Sequence, residues 1–267
     1  MTEIPKTDIG FCIYCHSTEP PLTREHVMPR GLGGNVPPGG AHEAMVLQNA
    51  TCESCRQITQ RIEEGCLLDA FGPARKRLGL TRKDRATGKS KAHIVRFDET
   101  SDNIEVDDIH IPGALMIPSY RMSARFLPEG DWRGPDLKVI VTREASFPSD
   151  EVQKIGVAMT CNIPMFARLL AKIAYGVAVY HVGLDNFVPT ITPLILREDV
   201  EYRWHVGGFC EEIPEPEKSE HLHTAKIRHH EGLLGVDIQL FREYGGPINY
   251  VIVGYDKRQL IPSRLRV

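Results

Sequence analysis

The alternation of apolar and polar residues from about Ala92 onward predicts a sheet. HIVRF, NIEVDDIHI and LKVIVT each show the period of two that is expected of a half-buried strand. Similar patterns predict further strands at residues 202–209, 224–229, 235–241 and 248–254. We expect most of these strands to pair in antiparallel fashion.

Two other stretches predict helices. Residues 149–157 begin with Ser149 as a cap and carry two acids in the first turn, where the helix dipole favours negative charge. A second helix opens near Pro164, and its apolar residues nearly encircle the axis, interrupted by Arg168 and Lys172. A helix that is apolar on nearly every side favours a buried central position over a membrane span.

The composition is that of a globular protein, and the predicted strands and helices favour an α+β fold. The chain has 267 residues, of which 42% are hydrophobic. We divide it into a small N-terminal module (residues 1–74), a basic linker (75–91) and a larger mixed, mostly antiparallel sheet domain with a buried helix (92–267). The first residues lack a secretory pattern, and no run of eighteen uncharged apolar residues occurs. We therefore expect a soluble, cytoplasmic protein with no membrane partner.

Positive charge is concentrated in the linker. The whole chain carries a net charge of -3, whereas residues 75–91 contain eight basic residues and one acid, giving +7. Such a segment would steer a polyanion toward the neighbouring module, although a charge run is also typical of a solvated surface. The candidate contacts to nucleic acid are Arg75, Lys76, Arg77, Arg82, Lys83 and Arg85.

Two cysteine pairs predict a structural zinc site in the module. Cys12 and Cys15 form one Cys-x-x-Cys knuckle, and Cys52 and Cys55 form the other. Four thiolates complete a tetrahedron around zinc and leave no open position for water or substrate. A redox pair or ordinary buried thiols are the alternative interpretation.

The segment between the knuckles, LTREHVMPRGLGG, suggests a family. A short strand ends in Glu25 and His26, and a proline and a glycine-rich loop follow it. The chain from Cys12 to about Glu63 resembles the HNH endonucleases, and it is similar to uncharacterised bacterial HNH proteins with an α+β C-terminal domain. The resemblance implies a zinc-stapled ββα-metal fold. The matching residues are Glu25, His26, Pro29, Gly33, Gly34, Cys52 and Cys55.

Cleaving a phosphodiester requires a base that deprotonates water and a cation that neutralises the charge on the phosphate. His26 suits the base, and the Glu25 carboxylate suits Mg²⁺ or Mn²⁺. Adjacent side chains of a strand point to opposite faces, so the two share a site only where the strand ends and bends. A solvent-exposed or supporting histidine is the alternative.

The sequence departs from the family after the second knuckle. The HNH pattern places Asn or His there as a metal ligand, but this chain has Arg56, which cannot bind a cation. Glu63 is our choice for the second catalytic ligand, with a solvated helix acid as the alternative. If the slot is unfilled, the module would bind DNA without cutting it. Other candidates for the missing ligands are Thr59, Asn49, His42 and Glu43.

The preferred hypothesis is a metal-dependent HNH endonuclease that acts on DNA, with structural zinc and catalytic Mg²⁺ or Mn²⁺. The basic segment does not distinguish DNA from RNA. Residues 92–267 would recognise substrate, bind a partner or form a homodimer. If they bind a partner, the first module would serve only as a scaffold. Exposed or core-edge positions, rather than a metal site, are expected for His221, His223, His229 and His230.

Overall fold

The protein is described here from a computed structural model. The described residues are 8–33, 45–69, 71, 75, 80, 93–97, 104–106, 114–120, 136–141, 155–158, 162–208 and 221–260. Within these ranges the fold is α+β, and its strand pairs are antiparallel. The predicted fold class is therefore confirmed.

The N-terminal module contains two antiparallel strands followed by a helix. Strand β1 spans Leu22–His26, β2 spans Val46–Cys52, and helix α1 spans Glu53–Asp69. The register between the strands shifts between Thr23 and Glu25, opposite the segment of β2 where Asn49 has a φ of 48°. We call β1, β2 and α1 the ββα unit.

Helix α2, Ile163–His181, is the central helix of the molecule. The side chain of Asn162 caps it by accepting a hydrogen bond from the N–H of Met165 at 3.0 Å. Every residue from 166 to 179 is buried. The helix is long and apolar enough to cross a membrane, but 78% of its most apolar window is buried inside the protein. The predicted buried helix is therefore present.

One face of α2 packs on an antiparallel sheet. Its strands are β8 (Phe187–Pro189), β9 (Val206–Gly208), β10 (His223–His230), β11 (Leu233–Leu240) and β12 (Ile248–Asp256). The order is β10-β11-β12-β8, and β9 also pairs with β12. A short helix α3, Thr192–Leu196, lies between β8 and β9 in the chain, and α4, Lys257–Leu260, follows β12.

Two smaller sheets are built from the segment between the module and α2. One contains β3 (His93–Phe97), β4 (Ile104–Val106) and β7 (Ile155–Ala158), and the other contains β5 (Ala114–Ser119) and β6 (Asp136–Val141).

The helix predicted at residues 149–157 is wrong at its end, because Ile155–Ala158 is a strand. The capping signal at Ser149 is local, whereas Ile155 and Val157 pair with β3 across the sheet, and β-branched residues fit strands well. The strand predicted at 202–209 is shorter than expected. A 3₁₀ turn occupies Tyr202–Trp204 before β9 begins.

The ββα unit and the larger sheet share α2 as a common packing partner. The Tyr175 hydroxyl of α2 donates a hydrogen bond of 2.6 Å to the carbonyl of Ile13. A Cβ on Gly176 would lie only 3.1 Å from Cγ1 of Val27, so the helix and the end of β1 are in close contact. The division of the chain into domains at residues 74 and 92 stays a prediction.

Candidate metal centre and the adjacent charged cluster

Four cysteine sulfur atoms converge beside the ββα unit. The Sγ atoms of Cys12, Cys15, Cys52 and Cys55 all lie within 4.8 Å of one another, and Cys15 and Cys52 are 3.7 Å apart. In a regular tetrahedron with 2.3 Å zinc–sulfur bonds, neighbouring sulfur atoms are about 3.8 Å apart. The four-cysteine site is therefore compatible with a structural metal such as zinc.

Backbone geometry brings the two knuckles together. The first lies in a tight turn in which the N–H of His16 donates to the carbonyl of Cys12 at 2.8 Å. The N–H of Ile13 donates to the carbonyl of Ala50 in β2, also at 2.8 Å, which fixes this turn against the strand. The second knuckle follows at the junction of β2 and α1. The contact of the first turn with β2 thus brings the first knuckle close to the second.

The surroundings of Cys12 favour its thiolate form, which is the form that binds metal. Its pKa is lowered because the Cys55 thiol donates a hydrogen bond to its sulfur. Backbone N–H groups of Tyr14, Cys15 and Cys52 lower the pKa further. The same hydrogen bond raises the pKa of Cys55, and burial raises the pKa of Cys15. Cys12 therefore carries the negative charge before a metal binds, and the other thiols give up their protons on binding.

A second constellation, which we call the charged cluster, consists of Glu25, Glu63 and Lys172. The ammonium of Lys172 lies 2.8 Å from Oε1 of Glu25 and 2.8 Å from Oε1 of Glu63. The Lys172 and Glu25 side chains are 1% and 6% exposed, whereas Glu63 is 23% exposed. Because β1, α1 and α2 each supply one member, the charged cluster joins the ββα unit to the central helix.

Neutral groups complete the surroundings of Glu25. The Thr51 hydroxyl donates to Oε2 of Glu25 at 2.9 Å. Tyr14 is buried nearby, and its pKa is raised, first by burial and then by the negative charges of Glu25 and Glu63. The rings of Tyr14 and Tyr175 pack with their centroids 5.8 Å apart. The Glu25 carboxylate is thus held by hydrogen bonds inside the protein.

Lys172 is charged in this setting. Burial alone would lower its pKa, but the charges and hydrogen bonds of Glu25 and Glu63 raise it above the ordinary value. Its ammonium also donates to the carbonyl of His26. The buried positive charge therefore has partners on three sides.

His26 is the last residue of β1, and its imidazole is half-buried. Within the part of the chain that the structure describes, its Nδ1 is buried without a hydrogen-bond partner. The pKa of His26 is lowered by burial and by the positive charges of Arg30 and Lys172. The imidazole is consequently neutral at pH 7 and able to accept a proton.

As placed, Glu25 and Glu63 do not fit Mg²⁺ or Mn²⁺. Their carboxylates converge on one point, as the sequence suggested, but an ammonium stands at that point. The Arg56 guanidinium forms an ion pair with Glu53 at 2.7 Å, so this side chain contributes no metal ligand. We therefore derive no chemical step through a divalent ion bound by these carboxylates.

The remaining predicted residues have other surroundings. The amide of Asn49 donates to Asp8 at 3.0 Å, and the hydroxyl of Thr59 donates to the backbone carbonyl of Arg56 at 3.1 Å. The guanidinium of Arg75 donates to the carbonyls of Gly31 and Leu67 at 2.6 and 3.1 Å. Outside the described residues lie His42, Glu43, Lys76, Arg77, Arg82, Lys83 and Arg85.

Two histidines of β10 have specific partners. His223 is buried, donates from Nε2 to the carbonyl of Leu32 at 2.8 Å, and accepts at Nδ1 from the N–H of Phe241 at 3.1 Å. Burial lowers its pKa to about 4. His229 lies 2.5 Å from Oδ2 of the buried Asp256. His223 therefore links the sheet to the loop after β1.

Sequence reasoning missed the partner of Glu25 and Glu63. The available signal was a lysine inside an almost wholly apolar helix, because such a charge is rarely buried without a partner. No family model matches this chain, and no curated protein and no solved structure matches it either. The resemblance to HNH endonucleases therefore stays a hypothesis that depends on the motif residues.

Proposed function

We propose that this protein is an HNH-type endonuclease that hydrolyses phosphodiester bonds of DNA with His26 as general base. The observation that carries the proposal is the position of His26. A neutral imidazole ends β1 of a ββα unit, and the start of the same strand pairs with Cys52 of the four-cysteine site, which is arranged for one metal ion.

The chemistry requires a group that accepts a proton from water near neutral pH. Because the pKa of His26 is lowered, its imidazole is already neutral near pH 7 and can accept that proton directly. The basic segment at residues 75–91 would attract the DNA backbone, and binding should weaken as salt rises. Mg²⁺ or Mn²⁺ remains the expected cofactor, but Glu25 and Glu63 would not be its ligands, because both pair with Lys172.

A second candidate function is DNA binding without cleavage. It is favoured by the ammonium of Lys172 between the two carboxylates and by the pairing of Arg56 with Glu53. In this case the zinc-stapled module would position nucleic acid for another activity. It predicts salt-sensitive retention of DNA and no cutting with any cation.

The test is a plasmid-nicking assay with Mg²⁺ and with Mn²⁺. The wild type, His26→Ala and the control His221→Ala, which changes an exposed histidine, are compared at equal zinc content. General-base removal should slow nicking by about 100-fold or more, whereas the control should be unchanged. Equal cleavage by wild type and His26→Ala would remove His26 from the mechanism. Retention of DNA with no nicking by the wild type would establish the second candidate.

A further inference from the structure

The Lys172 ammonium is surrounded by oxygen atoms, as a bound metal ion would be. An ammonium offers three N–H donors. In this structure the Glu25 carboxylate, the Glu63 carboxylate and the carbonyl of His26 accept them, and the carbonyl of Val27 lies 3.4 Å away. All of these are oxygen atoms, which are also the ligands that hard divalent ions prefer.

A divalent ion and this ammonium cannot use the same carboxylates together. Mg²⁺ takes oxygen ligands at about 2.0–2.1 Å, so an ion between Glu25 and Glu63 would occupy the position of Nζ. Two cations a few ångströms apart in a buried site repel strongly. Nor has Lys172 an easy alternative position, because its side chain is 1% exposed and begins on the buried helix α2.

We propose that Lys172 takes the position of a divalent ion between Glu25 and Glu63, excludes such an ion from these carboxylates, and positions the end of β1 that carries His26. The positioning follows from its hydrogen bond to the backbone of His26, which ties this residue to α2. Lys172 is thus a positioning residue, and its positive charge neutralises the two carboxylates as a bound metal ion would.

The inference does not depend on nuclease activity, so it is tested without nucleic acid. Mn²⁺ is added to the zinc-loaded full chain, and electron paramagnetic resonance measures the free ion. Any binding of Mn²⁺ to the wild type should be unchanged by Glu63→Gln. Lys172→Met should gain one Mn²⁺ site that binds the ion at least tenfold more tightly than the wild type does. The double variant Lys172→Met/Glu63→Gln should lose this site.

Arg168→Met is the matched control. Arg168 is a second buried cation of α2, and its guanidinium donates to the carbonyl of Ile195 at 2.9 Å and pairs with the exposed Glu198 at 3.3 Å. Its removal should create no Mn²⁺ site. Lys172→Arg keeps the positive charge and should also create none.

Either of two results would overturn the inference. One is a Mn²⁺ site in the wild type that weakens tenfold or more in Glu25→Gln or Glu63→Gln, because the carboxylates would then hold the ion in place of Lys172. The other is a folded Lys172→Met protein that gains no site. If Lys172→Met does not fold, the wild-type titration with Glu25→Gln and Glu63→Gln still decides. The plasmid assay is independent, so a failed nuclease proposal leaves these outcomes unchanged.

Discussion

At the scale of single residues, the charged cluster places paired charges inside the protein. Glu25 and Lys172 are both buried, and each is stabilised by the other's charge. Desolvation of buried ions is unfavourable, so the cluster is stable only while its charges remain paired.

Replacement of Lys172 by methionine should therefore lower the free energy of unfolding by about 3–5 kcal/mol, because two carboxylates would be left without a counter-charge. Urea denaturation at pH 7 measures this loss. The triple variant Lys172→Met/Glu25→Gln/Glu63→Gln should recover a large part of it. A loss below about 1 kcal/mol in the single variant would mean that the pair is not buried as described.

His223 should make the stability of the protein sensitive to acid. Its pKa falls from an ordinary 6.5 to about 4 in the folded protein, because the buried imidazole is bound in its neutral form. The unfolded chain therefore binds the proton more tightly, so this stability is complete above pH 6.5 and is lost as pH falls toward 4. The difference corresponds to about 3 kcal/mol.

The measurement is urea denaturation of the wild type and His223→Gln between pH 7.5 and about 4. Other groups titrate in the same range, so the quantity of interest is the difference between the two proteins. The wild type should lose about 3 kcal/mol more than His223→Gln. Parallel curves for the two proteins would contradict the buried, neutral histidine.

Residue-level prediction from sequence succeeded where the signal was local. The spacing within each knuckle predicted that its two sulfurs converge on one ion, and the need of zinc for four ligands predicted that the two knuckles meet. The partner of Glu25 could not be found in the same way, since Lys172 and the end of β1 are separated by 146 residues. Charge and burial along α2 indicated that a partner was needed but could not identify it.

At the scale of elements, alternation and helical periodicity located most of the described strands and the central helix. The predicted strands at 224–229, 235–241 and 248–254 correspond to β10, β11 and β12, within two residues at each end. The error at β7 shows the limit of local signals. A cap at Ser149 favours a helix, but pairing with β3 determines the conformation at Ile155–Ala158.

The contact of α2 with β1 depends on a small residue at position 176. A Cβ there would meet Val27 at 3.1 Å from Cγ1 and at 3.3 Å from its backbone Cα. Gly176→Leu should therefore overpack the contact and destabilise the protein by about 1–3 kcal/mol. Thermal unfolding measures the effect, and Gly176→Ala should be milder.

The double variant Gly176→Leu/Val27→Ala tests the mechanism of this destabilisation. Removing methyl groups from Val27 makes room for the new side chain, so the double variant should be more stable than the sum of the single effects predicts. Strictly additive effects would show that these two residues are not in contact.

At the scale of the whole molecule, the ββα unit and the larger sheet are held by one central helix. The Tyr175 hydroxyl reaches Ile13 in the first knuckle, and Lys172 reaches Glu25 and Glu63. Loss of the metal centre should therefore affect more than the first seventy residues. The α+β class was predictable from pattern alone, whereas this mutual support depends on contacts between distant segments.

The central claim is that four cysteines hold one zinc ion and so organise the ββα unit that carries His26. Elemental analysis of the purified protein by mass spectrometry tests it most directly. We predict one zinc per chain in the wild type and in Cys66→Ser, which changes a buried cysteine outside the cluster, and loss of zinc in Cys55→Ser. A folded wild-type protein without zinc, or full zinc content in Cys55→Ser, would contradict the account.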